Sequence, residues 1–253
     1  MKFGLIGHPI AHSLSPFLFK AGYQGRFPYE LIEEEDFETA YARFMEEYDG
    51  VNVTAPFKEL ALKKADIISE ECRLVSATNL LVKTPDGVTA YNSDYRGVLS
   101  ILSGLRTDDC PRVLIVGTGG AGKAAAAAAR NLGFTTILMN RTQHSDDILP
   151  LDSFREEFRK ADIIIYNLPV RIPAIDLLSE EDFSPGHKKV LMEANYKEPS
   201  FDNEFRLKMV EANPMAEYIE GKRWLLMQAV TGYEIFTGES PDNEAMKSVI
   251  KSK

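Results

Sequence analysis

The sequence predicts an α/β protein of two domains, on three observations. Apolar strand-like runs alternate with longer helical patterns along the chain. A glycine-rich turn stands between one such run and an alanine-rich helix near the middle. The pattern also changes near Asp94, from short strands ending in polar motifs to a strand–helix–strand series. A chain of 253 residues suits one large domain or two modest ones.

In the first half, residues 3–6 form an apolar first strand, and residues 29–33 alternate as a half-buried second one. Residues 37–48 place Phe37, Ala40, Tyr41, Phe44 and Met45 at helical spacing, and the β-branched run 50–54 is a third strand. Residues 79–82 and 88–91 flank Pro85-Asp86-Gly87, which predicts a hairpin-like pair. A helix over 97–105 then leads into the polar segment Thr107-Asp108-Asp109-Cys110-Pro111. Residues 112–116 are an apolar run opened by Arg112, as expected of a strand buried on both faces, and 136–139, 163–166 and 190–192 are similar. Helical patterns at 121–132 and 153–160 separate them, and residues 224–238 and onward are helical again. The alanines Ala124–Ala129 suit a helix lying close on a sheet.

Composition excludes several functions. Lys and Arg total 29 against 38 Asp and Glu, a formal charge of −9, so neither nucleic acid nor an anionic membrane is an expected partner. Cys72 and Cys110 alone make neither a disulfide framework nor a metal set, and a reducing compartment is expected. The four histidines include no HExxH, so no metal is expected. The N-terminal apolar run is too short for a signal-peptide core and no stretch approaches bilayer-spanning length; the expected location is cytoplasmic.

Gly117-Thr118-Gly119-Gly120-Ala121-Gly122 satisfies G-x-G-x-x-G between a strand and a helix. Such a turn brings backbone N–H groups and a helix N-terminus to a pyrophosphate. The next strand ends in Asn140-Arg141-Thr142, with no carboxylate to accept from a ribose 2′-hydroxyl. Hydrogen-bond donors and a positive charge suit a 2′-phosphate, so NADP (NADPH) is favoured over NAD, with Arg141 able to pair bidentately.

The first half carries polar motifs at predicted strand ends: His12-Ser13-Leu14-Ser15-Pro16, Asn52-Val53-Thr54-Ala55-Pro56-Phe57-Lys58, Thr78-Asn79 and Asn92-Ser93-Asp94. Singly, a lone Lys is a solvated side chain and a lone Asn a cap. Together they supply hydroxyls, amides, one cation and one carboxylate, the inventory of a pocket for a small polyhydroxylated anion.

With the glycine turn, Asn140-Arg141-Thr142 and Gln228-Ala229, these strings make the sequence similar to the shikimate dehydrogenase family, which reduces 3-dehydroshikimate to shikimate in aromatic amino acid and chorismate biosynthesis. The likeness runs nearly the full chain, with Asn-Ser-Asp where the family usually has Asn-Thr-Asp. It implies an NADP-dependent oxidoreductase. Its α/β substrate-binding domain would span 1–96 plus 225–253, and its Rossmann-like doubly wound dinucleotide-binding domain 97–224, with a cleft between them. It further implies that Ser13 and Ser15 donate to the substrate carboxylate. Thr54, Asn79 and Gln228 would bind that carboxylate or ring hydroxyls. Lys58 and Asp94 would flank the reacting carbon as the catalytic pair, either of them the proton carrier. Tyr196 would stand at the substrate, and Gly221 near the nicotinamide. Gly117 to Gly122 with Asn140, Arg141 and Thr142 would bind the cofactor.

Departures lie on the cofactor side. Tyr166-Asn167-Leu168-Pro169 replaces Asn-Ala-Thr-Pro, Gln143-His144-Ser145 stands where a second Arg is often found, and Arg223 and Trp224 replace a Gly and a Met. Alternatives are a quinate/shikimate or aminoshikimate dehydrogenase with relaxed cofactor preference, a non-catalytic NADP-binding relative, and a methylenetetrahydrofolate dehydrogenase type, which the Ser13/Ser15 motif disfavours. Either a monomer or a homodimer is compatible with the sequence.

Overall fold

The structure is a computed structural model that describes residues 1–105 and 110–252. Thr107, Asp108 and Asp109 of the polar segment lie outside the described residues. The elements run β1 (Phe3–Gly7), α1 (Ser15–Gly22), β2 (Tyr29–Glu33), α2 (Phe37–Glu47), β3 (Gly50–Val53), α3 (Lys58–Lys63), β4 (Ile67–Ile68), α4 (Glu70–Val75), β5 (Leu80–Thr84), β6 (Gly87–Tyr91) and α5 (Ser93–Ser103). They continue with β7 (Arg112–Val116), α6 (Gly120–Asn131), β8 (Thr135–Met139), β9 (Ile148–Leu149), α7 (Phe154–Lys160), β10 (Ile163–Tyr166), β11 (Lys189–Glu193), α8 (Asn203–Ala212), β12 (Ala216–Ile219), α9 (Gly221–Thr237) and α10 (Asn243–Ser252). Short 3-10 turns occupy Leu151–Ser153, Pro173–Leu177 and Glu180–Phe183.

The chain forms two compact units, Met1–Gly97 with Leu226–Lys253, and Val98–Leu225. Both joints fall inside helices, α5 and α9, so no Gly- or Pro-rich linker marks them.

The first unit holds a mixed sheet in the order β2-β1-β3-β5-β6-β4. β1 pairs in parallel with β2 and β3, while β5 runs antiparallel to β3 and to β6. The hairpin closes with Thr84 opposite Gly87, so Pro85 and Asp86 make its turn. One face packs Ile6, Ile32, Phe37, Phe44, Val51, Val53 and Phe57 into a core. Elsewhere in the unit Phe3 stacks on Phe236 with ring centroids 4.8 Å apart, and Phe19 lies 4.8 Å from Tyr233.

The second unit holds a wholly parallel sheet, β12-β11-β10-β7-β8-β9. The chain begins at β7, winds outward through β8 to β9, and returns to β10 on the other side. The order therefore reverses between β7 and β10, the topological switch point at which open α/β sheets bind ligands. Ala124, Ala125, Ala128 and Ala129 are fully buried, as a thin-faced helix on a sheet requires. The core of this unit is built on Leu114, Val116, Met139, Phe154, Phe158, Ile164 and Tyr166.

Several elements differ from expectation. The helix predicted from 97 begins four residues earlier, at Ser93, because Asn92 caps it: its side chain accepts from the Tyr95 N–H at 3.0 Å. The strands flanking Pro85-Asp86-Gly87 run to the turn on both sides. Helices α1, α3, α4 and α8 and strands β4, β9 and β12 lack an expected counterpart, while α10 falls in the stretch expected to stay helical beyond 238. Several are two to six residues long, too short for periodicity to register. Among the described residues no helix is long and apolar enough to cross a membrane.

Lys189, at the start of β11, is 1% exposed. Its ammonium donates to the carbonyls of Phe158 at 2.8 Å and Ala161 at 2.6 Å, closing the C-terminal end of α7. Burial pushes this amine down to about 8, against the opposing pull of Asp162 and Asp182. The unfolded chain, with an ordinary lysine, therefore holds more protons than the folded one above about pH 8. Unfolding free energy gained at this site rises with pH across that window. Urea unfolding of wild type and Lys189→Met at pH 7.5, 8.5 and 9.5 is expected to show this rise in the wild type and its loss in the variant.

Candidate active site

In the first unit the polar motifs gather at strand and helix ends. Lys58 is the first residue of α3, and its Nζ lies 2.5 Å from Asp94 Oδ2. Asp94 lies in the first turn of α5, where the helix N-terminus favours negative charge. The two side chains are 24% and 17% exposed, so this pair of opposite charges is open to a ligand. Its frame is backbone: the Thr78 N–H donates to the Lys58 carbonyl at 3.2 Å. Asn92, 1% exposed, holds α5 by accepting from Tyr95 and donating to the Ala77 carbonyl at 2.9 Å.

Beside this pair stands an amide–hydroxyl cluster. Asn79 Oδ1 accepts from the Ser93 N–H at 2.7 Å, and Asn79 Nδ2 donates to Ser93 Oγ at 3.0 Å. Ser93 Oγ donates to Gln228 Oε1 at 3.1 Å. Helix α9 thus returns Gln228 to the first unit, and Gly97 permits it: a Cβ there would stand 2.7 Å from the Gln228 backbone nitrogen.

Ser13 and Ser15 form a second group. Ser13 Oγ donates to Ser15 Oγ at 3.2 Å and accepts from the Ser15 N–H at 3.2 Å. Thr54 follows β3, its N–H donating to the Ile6 carbonyl at 2.9 Å. Its methyl faces Gly7, where a Cβ would come within 2.4 Å, so only glycine lets β1 pass.

Four residues here carried no individual assignment in the sequence reading. Tyr29 Oη donates to Asn52 Oδ1 at 2.8 Å, and Asn52 Nδ2 donates to the Asn79 carbonyl at 3.4 Å. Ser93 links Asn79 to Gln228, and Tyr233 Oη donates to the Ser15 carbonyl at 3.1 Å. Burial pushes the Tyr29 and Tyr233 phenols up, and hydrogen bonding with Ser15 works against that rise in both. Asn52 and Ser93 lay inside motifs already noted; Tyr29 and Tyr233 are ordinary strand and helix residues with no motif around them.

The second unit carries its own group of residues. Gly117, at φ +93°, leaves β7 into the glycine turn. A Cβ on Gly122 would stand 1.9 Å from the Gly117 carbonyl oxygen, while one on Gly119 would meet nothing within 4 Å. The turn is closed underneath and open above the N-terminus of the 12-residue helix α6, which has no side-chain cap. That cradle fits a pyrophosphate. Asn140, Arg141 and Thr142 follow β8; Asn140 Nδ2 donates to the Thr142 carbonyl at 3.2 Å, and Arg141 is exposed. Asn167 and Leu168 pack on Gly117, the Asn167 carbonyl carbon lying 3.2 Å from a Cβ placed there, so the loop that departs from the family pattern forms the wall of the turn.

Tyr196 and Gly221 belong to this second unit. Tyr196 is half-buried, which raises its phenol. Its loop is tied by Glu193, fully buried, which accepts from the Ser200 N–H at 2.5 Å and from Tyr218 Oη at 2.9 Å. Gly221 opens α9 against this loop, where a Cβ would meet the Ala194 carbonyl oxygen at 2.7 Å.

Residues 5–81 match the family described as the shikimate dehydrogenase substrate binding domain. Residues 106–192 match the NAD binding domain of D-isomer specific 2-hydroxyacid dehydrogenases. The shikimate dehydrogenase of Thermotoga petrophila is 36% identical over 148 residues, and the match spans 56% of this chain and 56% of that relative's length. The shikimate dehydrogenase (NADP(+)) of Methanothermobacter thermautotrophicus is 30% identical over 280 residues, covering 98% of this chain and 95% of that one. The crystal structure of Mycobacterium tuberculosis shikimate dehydrogenase superposes with a TM-score of 0.79 at 27% identity, covering 100% and 99% of the two chains.

The clash at Gly122 predicts that Gly122→Ala forces the glycine turn open and destabilises the second unit by about 2–4 kcal/mol. Calorimetric unfolding is expected to show this as a lowered midpoint.

Proposed function

The chain belongs to the shikimate dehydrogenase family, and we propose on that footing that it catalyses the reversible, NADP-dependent reduction of 3-dehydroshikimate to shikimate. The observation that carries this reading is the Lys58–Asp94 contact of 2.5 Å with the Asn79–Ser93–Gln228 cluster beside it. A paired cation and carboxylate, partly open and bordered by amides and hydroxyls, suits proton transfer on a hydroxylated ring.

Reduction adds a hydride to the C3 carbonyl carbon and a proton to its oxygen. NADPH, when bound, supplies the hydride. In our reading the Ser13 and Ser15 hydroxyls donate to the ring carboxylate, and Thr54, Asn79 and Gln228 hold the carboxylate or the ring hydroxyls. Lys58 donates the proton to the C3 oxygen as the carbonyl becomes an alcohol, and takes it back in oxidation. Asp94 keeps the Lys58 ammonium aimed at that oxygen and accepts from a neighbouring hydroxyl. Tyr196 would add a further substrate contact. Backbone groups of Gly117, Thr118, Gly119, Gly120, Ala121 and Gly122 would hold the pyrophosphate. Asn140, Arg141 and Thr142 would hold the 2′-phosphate, and Gly221 would lie at the nicotinamide. A cytoplasmic setting, as a monomer or homodimer, is part of the same proposal.

Steady-state kinetics test it, with shikimate and quinate each assayed against NADP and NAD. Shikimate with NADP is expected to be the preferred pair; turnover of quinate alone, or of neither, overturns the reading. Lys58→Ala is expected to lower kcat by about 10²–10⁴-fold with near-normal shikimate KM; a pure KM effect would make Lys58 a binding residue. Arg141→Ala is expected to raise KM for NADPH at least about tenfold more than for NADH, reflecting loss of a charge-assisted contact. Equal effects on the two cofactors would remove Arg141 from the 2′-phosphate site.

A further inference from the structure

We propose that Tyr233 is a positioning residue for substrate: its hydroxyl, donated to the Ser15 carbonyl, fixes the serine turn so that Ser13 and Ser15 meet a carboxylate together. The inference rests on the reading above and goes beyond it, since Tyr233 belongs to no motif that suggested the function.

The geometry is specific. Ser15 is the first residue of α1, and Tyr233 Oη reaches its carbonyl at 3.1 Å from α9, 218 positions along the chain. Ser15 in turn holds Ser13 through two contacts of 3.2 Å, one by its N–H and one by its hydroxyl. Fixing one backbone carbonyl therefore fixes both hydroxyls. The same stretch of α9 also sets the other half of the cluster. Gln228 accepts from Ser93 Oγ at 3.1 Å, and at Gly232, one turn on, a Cβ would stand 3.1 Å from Ser93 Cβ and Oγ. One rigid helix thus sets the spacing between the serine turn and the amide–hydroxyl cluster, the spacing that one ring must span.

The Tyr233 ring is held independently of its hydroxyl. It is 2% exposed, packs edge-on against Phe19 at 4.8 Å, and lies 6.0 Å from Tyr29. Tyr233→Phe therefore removes the hydrogen bond and leaves the packing. A control lies at the ends of the same two helices: Tyr23, the residue after α1, donates its hydroxyl to the Glu239 carbonyl at 2.9 Å and accepts from Thr237 Oγ1 at 2.8 Å, with neither partner at Ser15. Tyr23→Phe also removes buried phenol hydrogen bonds between α1 and the end of α9, but leaves the serine turn alone.

The experiment measures kcat and both KM values for wild type, Tyr233→Phe and Tyr23→Phe, with hydrogen exchange of the amides of residues 13–18. Tyr233→Phe is expected to raise shikimate KM about fivefold, the loss of one buried neutral hydrogen bond, with kcat within about twofold and NADP KM unchanged. Tyr23→Phe is expected to change none of them. An unchanged shikimate KM in Tyr233→Phe, or an equal rise in Tyr23→Phe, overturns the inference. Failure of the wild type to turn over shikimate sinks the functional reading instead. In that case the exchange measurement decides the inference: faster exchange at residues 13–18 in Tyr233→Phe alone supports it, and unchanged exchange overturns it.

Discussion

Both ends of the Asn92 side chain are engaged, the oxygen capping α5 and the nitrogen on the Ala77 carbonyl, and the chemistry of the first unit hangs from those two bonds. They turn the chain from β6 into α5 within one residue. That places Ser93 against Asn79, and Asp94 in the first turn of a helix, facing Lys58. A buried amide with both partners satisfied is costly to break, because each orphaned group would lose water without replacement. The carboxylate and the ammonium are therefore positioned by a buried amide one or more residues away from them.

The two sheets solve different problems. The mixed sheet of the first unit brings short strands to an abrupt end in polar loops, and those ends supply the side-chain chemistry. The parallel sheet of the second unit supplies backbone chemistry instead. β7, central and fully buried along 113–116, delivers the chain to a turn made of glycine at the point where strand order reverses. Side chains would obstruct that turn; what it leaves open is the N–H groups at the start of α6.

What could be read from the sequence follows the same division. β10 and, after Arg112, β7 are apolar runs bounded by turn residues, and both strands begin and end where the pattern says. The glycine turn was legible because its requirements are local. The polar motifs of the first unit were legible as strings, but not as a network. The spacing of Ser13, Lys58, Asn79 and Gln228 is set by which strands pair and by α9 returning from the far end of the chain. α3 has six residues and begins at Lys58 itself, too short to show a period. The joints between units run through continuous helices, where composition does not change. Tyr29 and Tyr233 owe their contacts to tertiary neighbours alone.

Gly97 and Gly232 have a consequence for how this chain tolerates change. Each sits where α5 and α9 touch, one against the Gln228 backbone and the other against Ser93. Neither contributes an atom to any reaction. Even a methyl group at either position must push one helix away from the other, and the displaced part would be Ser93 or Gln228. Along this seam the two helices can vary only in concert, so an apparently idle position there is as restricted as a chemical one.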